Sequence, residues 1–122
     1  LKLHLANSDG RNAVTGYGAG YVEINGKRYD TNVVVLPTSV ETRWMRGADG
    51  DISLDGITFL ATLEVEIILL GTGARQRFPT PATLRPLIDA GIGFEIMDTN
   101  AACRTYNILV AENRRVAAAL QV

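Results

Sequence analysis

The chain has 122 residues, of which 47% are hydrophobic and 20% charged, with a formal net charge of −1. That length fits one domain, taken as residues 1–122, and that apolar share can build a core, which excludes a disordered tail. The near-neutral balance argues against a general nucleic-acid binder, and no apolar run reaches the roughly 20 residues that a membrane helix needs.

The first half reads as β. Tyr21-Val22-Glu23-Ile24, Asn25-Gly26 and Lys27-Arg28-Tyr29 predict a hairpin, because Asn-Gly supplies the two positive φ angles of a type I′ turn. Val33-Val34-Val35-Leu36 is a continuous apolar run that stops at Pro37, the pattern of a strand covered on both faces. Val40 to Met45 reads as a further strand. Gly47-Ala48-Asp49-Gly50-Asp51 spaces its acids as a calcium loop does, but it lacks a third acid and a closing Glu and reads as a solvated turn.

The second half alternates. Ser53 caps a short helix to about Ala61, with Leu54, Ile57 and Leu60 on one face and Gly56 weakening it. Glu64 to Leu70 is a strong buried strand. Thr80 and Pro81 open a second helix that ends at Gly91, and Pro86 inside it predicts a kink or an irregular first turn. Ile92 to Met97 is a strand, and Asp98-Thr99-Asn100 caps a last helix ending at Asn113. Along it Ala101, Thr105, Ile108, Leu109 and Glu112 recur at helical spacing. Arg115 to Gln121 is a final apolar strand. Strand, helix, strand, helix, strand implies a largely parallel sheet with helices against it, extended or covered by the β-rich first half.

One cysteine, Cys103, allows no intrachain disulfide. That cysteine and the lone histidine, His4, make no zinc site at ligand spacing, so neither metal nor cofactor is expected. A reducing compartment suits one cysteine, and no basic-then-apolar segment opens the chain as given, so the expected setting is cytoplasmic.

The chemistry concentrates at "IILLGTGARQRFP", where a buried strand stops at Gly71-Thr72-Gly73 and Arg75 and Arg77 follow. Ligands of open α/β sheets bind at the carboxyl ends of strands, and glycines let a backbone approach an anion. Against this, Gln76 stands where the dinucleotide fingerprint needs its third glycine, and no Gly-Lys-Ser/Thr follows. Two readings therefore stand. The favoured one is a tight backbone turn; the other is an anion or ligand site, with Thr99 and Cys103 at the start of the last helix facing the same cleft. A helix N-terminus can activate a thiol, but Asp98 beside Cys103 works the other way, and the favoured reading of Cys103 is a small buried cysteine.

Glu95 in "IGFEIM" and Glu112 on the helical stripe are carboxylates expected to be buried, each anchored by an arginine among Arg104, Arg114 and Arg115 or by backbone groups; the alternative is an acid–base or ligand role with raised pKa values. Thr105 is placed on the core stripe, with Tyr106 and Asn107 pointing elsewhere and Tyr106 in a structural role. Arg43-Trp44-Met45-Arg46 joins interface-enriched residue types, so an edge strand exposing Trp44 and Arg46 beside Arg43 is a candidate protein-contact patch, against the plainer reading of a half-buried Trp on an amphipathic edge.

"EIILLGTG", followed about twenty residues later by "GIGFEIMDTNAACRTYNILVAENRRVAAAL", resembles a family of small domains of unknown function. Its mitochondrial members include the third assembly factor of NADH dehydrogenase (complex I), and another branch contains an adipogenesis-associated protein. The resemblance spans roughly Gly18 to Leu120. It is most specific at Gly71, Thr72 and Gly73 and at Glu95, Met97, Thr99, Ala102, Thr105, Tyr106, Asn107, Leu109, Glu112 and Val116. It implies a three-layer α/β fold with a central mixed sheet of about five strands, helices packed on it, and the N-terminal hairpin added. The function expected is a non-catalytic interaction or assembly module binding a protein partner or a second copy of itself. The rival is a small anionic-ligand-binding or weakly hydrolytic protein that uses the glycine loop.

Overall fold

The structure, a computed structural model, describes residues 10–45 and 50–122. His4, Arg46 and the Gly47–Asp49 part of the acidic loop lie outside the described residues.

A five-stranded mixed sheet, in the order β5-β4-β8-β6-β7, forms the middle layer. Strands β6 (Ile67–Gly71), β7 (Gly93–Met97) and β8 (Val116–Leu120) run parallel, with β6 between the other two. Strand β4 (Val33–Leu36) pairs antiparallel with β8, and β5 (Ser39–Glu41) antiparallel with β4. The sheet is thus mixed and five-stranded, as the resemblance implies, and not largely parallel as the alternation alone suggests. The alternation from Glu64 onward set the parallel half; the register of the first half lies in long-range pairing that no local pattern carries.

The unalternating apolar runs do mark strands covered twice. Val33 and Val35 of β4, Leu69 of β6 and Val116, Ala118 and Leu120 of β8 face one core. Val34, Ile68, Leu70, Ala117 and Ala119 face the other. Helices α1 (Leu54–Leu60) and α2 (Pro81–Ala90) cover the second face, while α3 (Thr99–Ala111) covers the first.

The caps fall where the sequence puts them. Ser53, Thr80 and Asp98 each accept a backbone N–H of the first turn of their helix, and Gly91 closes α2 at φ +70°. Pro86 lies within α2, which stays α-helical around it. Gly56 has a packing reason: a Cβ there would stand 2.8 Å from the Met45 side chain.

The added N-terminal piece is larger than a hairpin. β1 (Val14–Gly18), β2 (Tyr21–Ile24) and β3 (Lys27–Tyr29) form a separate antiparallel sheet in the order β1-β2-β3. The Asn25-Gly26 turn between β2 and β3 has φ +51° and +83°, as the dipeptide requires. This sheet is fixed to α3 by side chains. Asn107 accepts the Val14 N–H and donates to the Val14 carbonyl, both at 2.8 Å, and so pairs with β1 as a neighbouring strand would. The Tyr106 hydroxyl donates to the Asn12 carbonyl at 2.9 Å, and Arg104 donates to the Tyr17 hydroxyl at 2.8 Å.

The buried stripe of α3 is Thr99, Ala102, Cys103, Tyr106 and Val110. This corrects the predicted stripe by about one residue: Ile108 is exposed, Thr105 half-buried and Tyr106 fully buried. The tilt of the face toward Tyr106 comes from the second sheet beside it.

Both carboxylate assignments are also corrected. Glu95 is exposed, because β7 is an edge strand with one face open, and Glu112 is exposed at the C-cap of α3. The anchoring role belongs to Glu66, whose Oε1 accepts the Arg114 Nε–H at 2.9 Å and the Arg115 N–H at 3.0 Å. The Arg114 hydrogen bond, then that of Arg115, holds the Glu66 carboxyl below its ordinary range.

Candidate functional site

Strands β6, β7 and β8 end level, with Gly71 opposite Met97 on one side and Leu120 on the other. The ladder continues one step past the sheet: Thr72 N–H donates to the Met97 carbonyl and Gln121 N–H to the Gly71 carbonyl, both at 2.9 Å. The chain then closes onto the first residue of α3. Thr99 N–H donates to the Gly73 carbonyl at 2.9 Å, and Gly73 N–H donates to the Thr99 hydroxyl at 2.8 Å. That hydroxyl in turn donates to the Gln121 carbonyl at 2.6 Å. Thr99 therefore ties β6, α3 and β8 at a single oxygen.

The glycines are explained by these contacts. Gly73 sits at φ +89°, where an L side chain is strained, and Gly71 leaves no room: a Cβ there would stand 3.1 Å from Leu120 Cδ2, Thr99 Cα and Thr99 Oγ1. Thr72 is buried and organises the rest of the turn. Its hydroxyl donates to the Arg75 carbonyl at 2.6 Å, with the Met97 carbonyl at 3.2 Å, and accepts the Arg77 N–H at 3.0 Å. Gln76 donates to the Ile96 carbonyl at 2.8 Å on the open edge of β7. The N–H groups of Thr72 and Gly73 are thus committed to protein acceptors, so these amides have nothing left to cradle an anion.

Of the predicted cleft residues, the structure brings together Gly71, Thr72, Gly73 and Thr99, with Arg75 and Arg77 exposed on the rim. Arg77 pairs with Asp51 at 3.2 Å and donates to the Gly50 carbonyl at 3.3 Å. Cys103 is not in this group. Asp98 is the N-cap, so Cys103 falls in the second turn of α3 and is fully buried in the core with Leu69 and Val110. Burial pushes its thiol up to about 12, a little offset by Arg104, which is the reverse of an activated nucleophile.

Cavities of about 120, 340 and 460 Å³ open around these strand ends. Gln121 lines all three and was not singled out from the sequence. A signal existed: it is the first polar residue after a wholly apolar strand, at the carboxyl end where α/β sheets place their ligands.

The tryptophan expectation is corrected. β5 ends at Glu41, and Trp44 lies beyond it in a turn, 3% exposed, with its indole N–H donating to the Gly56 carbonyl at 3.0 Å. It is a core residue over α1. Arg43 is exposed, its N–H held by the Glu41 carboxylate at 2.7 Å. An apolar groove of about 300 Å³ runs along Trp44, Met45 and Phe59. Among the described residues no helix is long and apolar enough to cross a membrane, and no group of three or more His, Cys, Asp or Glu could hold a metal.

Comparison with known proteins agrees with this architecture. The chain is 36% identical over 109 residues to the NADH dehydrogenase [ubiquinone] 1 alpha subcomplex assembly factor 3 of Danio rerio, covering 88% of this chain and 62% of that protein. A crystal structure of a Bordetella parapertussis protein superposes with a TM-score of 0.82 at 42% identity, covering 91% of this chain and 95% of the other. The solution structure of a Bordetella pertussis protein described as a Mth938-like domain gives a TM-score of 0.76 at 36% identity over 99% and 92% of the two chains. A family model described as protein of unknown function (DUF498/DUF598) matches residues 14–121, and the chain belongs to that family.

Proposed function

We propose that this chain is a non-catalytic protein-interaction module that serves the assembly of a respiratory complex of the NADH dehydrogenase type, working on the cytoplasmic side of the membrane. The observation that carries the proposal is the 36% identity to an assembly factor over 88% of this chain. The chain spans 62% of that relative, so the partners of the longer protein are carried over here only as a proposal.

The chemistry of the strand ends supports it. A thiol held up at about 12 is no nucleophile, and loop amides already bonded to Met97 and Thr99 make no oxyanion or phosphate cradle. What the cleft offers outward is rim charge from Arg75 and Arg77 and the apolar ring of Phe78, which is 70% exposed. Arginine and aromatic side chains are the types that anchor protein contacts. The partner is either a subunit of the complex or a second copy of the chain. One buried cysteine suits a reducing compartment.

Deleting the chain from its own cell tests the proposal. Native gels should show less complete NADH dehydrogenase and more partial assemblies, restored by the wild-type chain. A complex that assembles fully without it overturns the proposal.

A further inference from the structure

Gln121 follows β8 directly, and only 7% of it is exposed. Its Nε2 donates to the Gly50 carbonyl at 2.6 Å, and that bond decides which end of the amide is nitrogen. The other end, Oε1, is buried and has no hydrogen-bond partner among the described residues. Buried polar atoms in folded proteins are nearly always paired, so an orphaned acceptor on a side chain that lines the cavities at the carboxyl ends of the parallel strands points to a donor from outside the chain.

A second observation lies across the same cavity, about 340 Å³ in volume, which Arg75, Arg77, Thr72 and Gln121 line together. Arg75 is exposed, with no ion pair among the described residues. Arg77 has Asp51, but that pair is largely solvent-exposed, so the guanidinium is held weakly and can turn to a stronger anion. The walls thus offer positive charge at the mouth and a lining side chain with one unpaired acceptor, while the Thr72, Gly73 and Arg77 amides are already bonded within the chain.

We propose that this cleft binds a small anion that also carries a hydroxyl or amino group. The donor group meets Gln121 Oε1 and the charge meets Arg75 and Arg77. An anion without a donor leaves the Gln121 oxygen unpaired, and a donor without charge wastes the arginines. A site built around a buried polar group discriminates on that group far more strongly than an apolar pocket does. The inference does not depend on the assembly role: it concerns what the cleft holds, whatever the chain assembles.

The test is a titration of the isotope-labelled full chain followed by backbone and side-chain amide resonances. Two pairs of probes are used: glycerol 3-phosphate against inorganic phosphate, and glycolate against acetate. At least one hydroxylated member should bind tenfold or more tightly than its plain counterpart, moving the Gly73, Gln121 and Val122 amides and the Gln121 side-chain amide. Gln121→Met should erase that preference while leaving the plain anion unchanged. Arg75→Ala, an exposed site whose loss leaves the fold intact, should weaken both members of the responding pair several-fold. The inference is overturned if no probe moves these resonances at millimolar concentration, if both members of each pair bind equally to the wild type, or if Arg75→Ala changes nothing.

Discussion

Thr99→Val removes one oxygen and keeps the side-chain shape. In the native chain that oxygen accepts the Gly73 N–H at 2.8 Å and donates to the Gln121 carbonyl at 2.6 Å in a buried setting. Valine leaves both main-chain groups without a partner. An unsatisfied buried group costs about 1–3 kcal/mol, and the part-buried Gly73 amide belongs at the low end, so the substitution should cost about 2–4 kcal/mol. Urea unfolding reads this directly. A chain of this size loses about 1–3 kcal/mol of stability per molar urea, so the midpoint should fall by on the order of 1–2 M without a change in slope. Thr99→Ser keeps the oxygen and should lose much less. Gly73 should also exchange its amide hydrogen faster in the valine variant than in the serine variant. If valine and serine unfold at the same midpoint, Thr99 does not tie the three elements together and the description of the strand ends is wrong.

The remaining predictions follow from the same contacts. Gly73→Ala should cost at least about 1 kcal/mol through its positive φ, and Gly71→Ala about 1–3 kcal/mol because the Thr99 backbone must give way, both read from unfolding midpoints. Trp44 should fluoresce blue-shifted in the native monomer, and Trp44→Ala should cost about 3–5 kcal/mol as a core truncation; a red-shifted native spectrum would refute its burial. Cys103 should resist thiol reagents until the chain unfolds. Because its folded pKa is raised from 9.0 to about 12, stability should decline as pH climbs through that window, and Cys103→Ala should flatten the decline. Glu66 has its folded pKa lowered from 4.5, so its contribution is present above that pH and is lost as pH falls through the depressed value. Glu66→Gln should remove that part of the acid sensitivity in denaturation curves at graded pH.

What the sequence made legible was local. The Asn25-Gly26 turn, the caps at Ser53, Thr80 and Asp98, the Gly91 stop and the doubly covered runs at Val33–Leu36 and Ile67–Leu70 each follow from a residue's own backbone preference or from a run of neighbours. What it hid was set by partners distant in the chain. Glu95 looked buried because its neighbours are apolar, but β7 turned out to be an edge strand. Glu112 sat on a plausible stripe until Tyr106 and Asn107 turned α3 toward a second sheet, more than ninety residues away in sequence at Asn12 and Val14. Trp44 looked like an anchor for a partner, whereas its indole N–H is met by Gly56 across a turn. At the candidate site the glycine turn was legible as structure. Gln121 was marked only as the first polar residue after an apolar strand; that its amide oxygen is left unpaired is a property of the folded surroundings.

The most direct test of the proposed role is site-specific photo-crosslinking in the native cell. A photoreactive residue replaces Arg75 on the cleft rim in one strain and Arg85 on the exposed face of α2 in another. An assembly module that works through the strand ends should cross-link from position 75, not 85, to a subunit of NADH dehydrogenase while that complex is being built. No cross-link from position 75, or identical products from both positions, would contradict it.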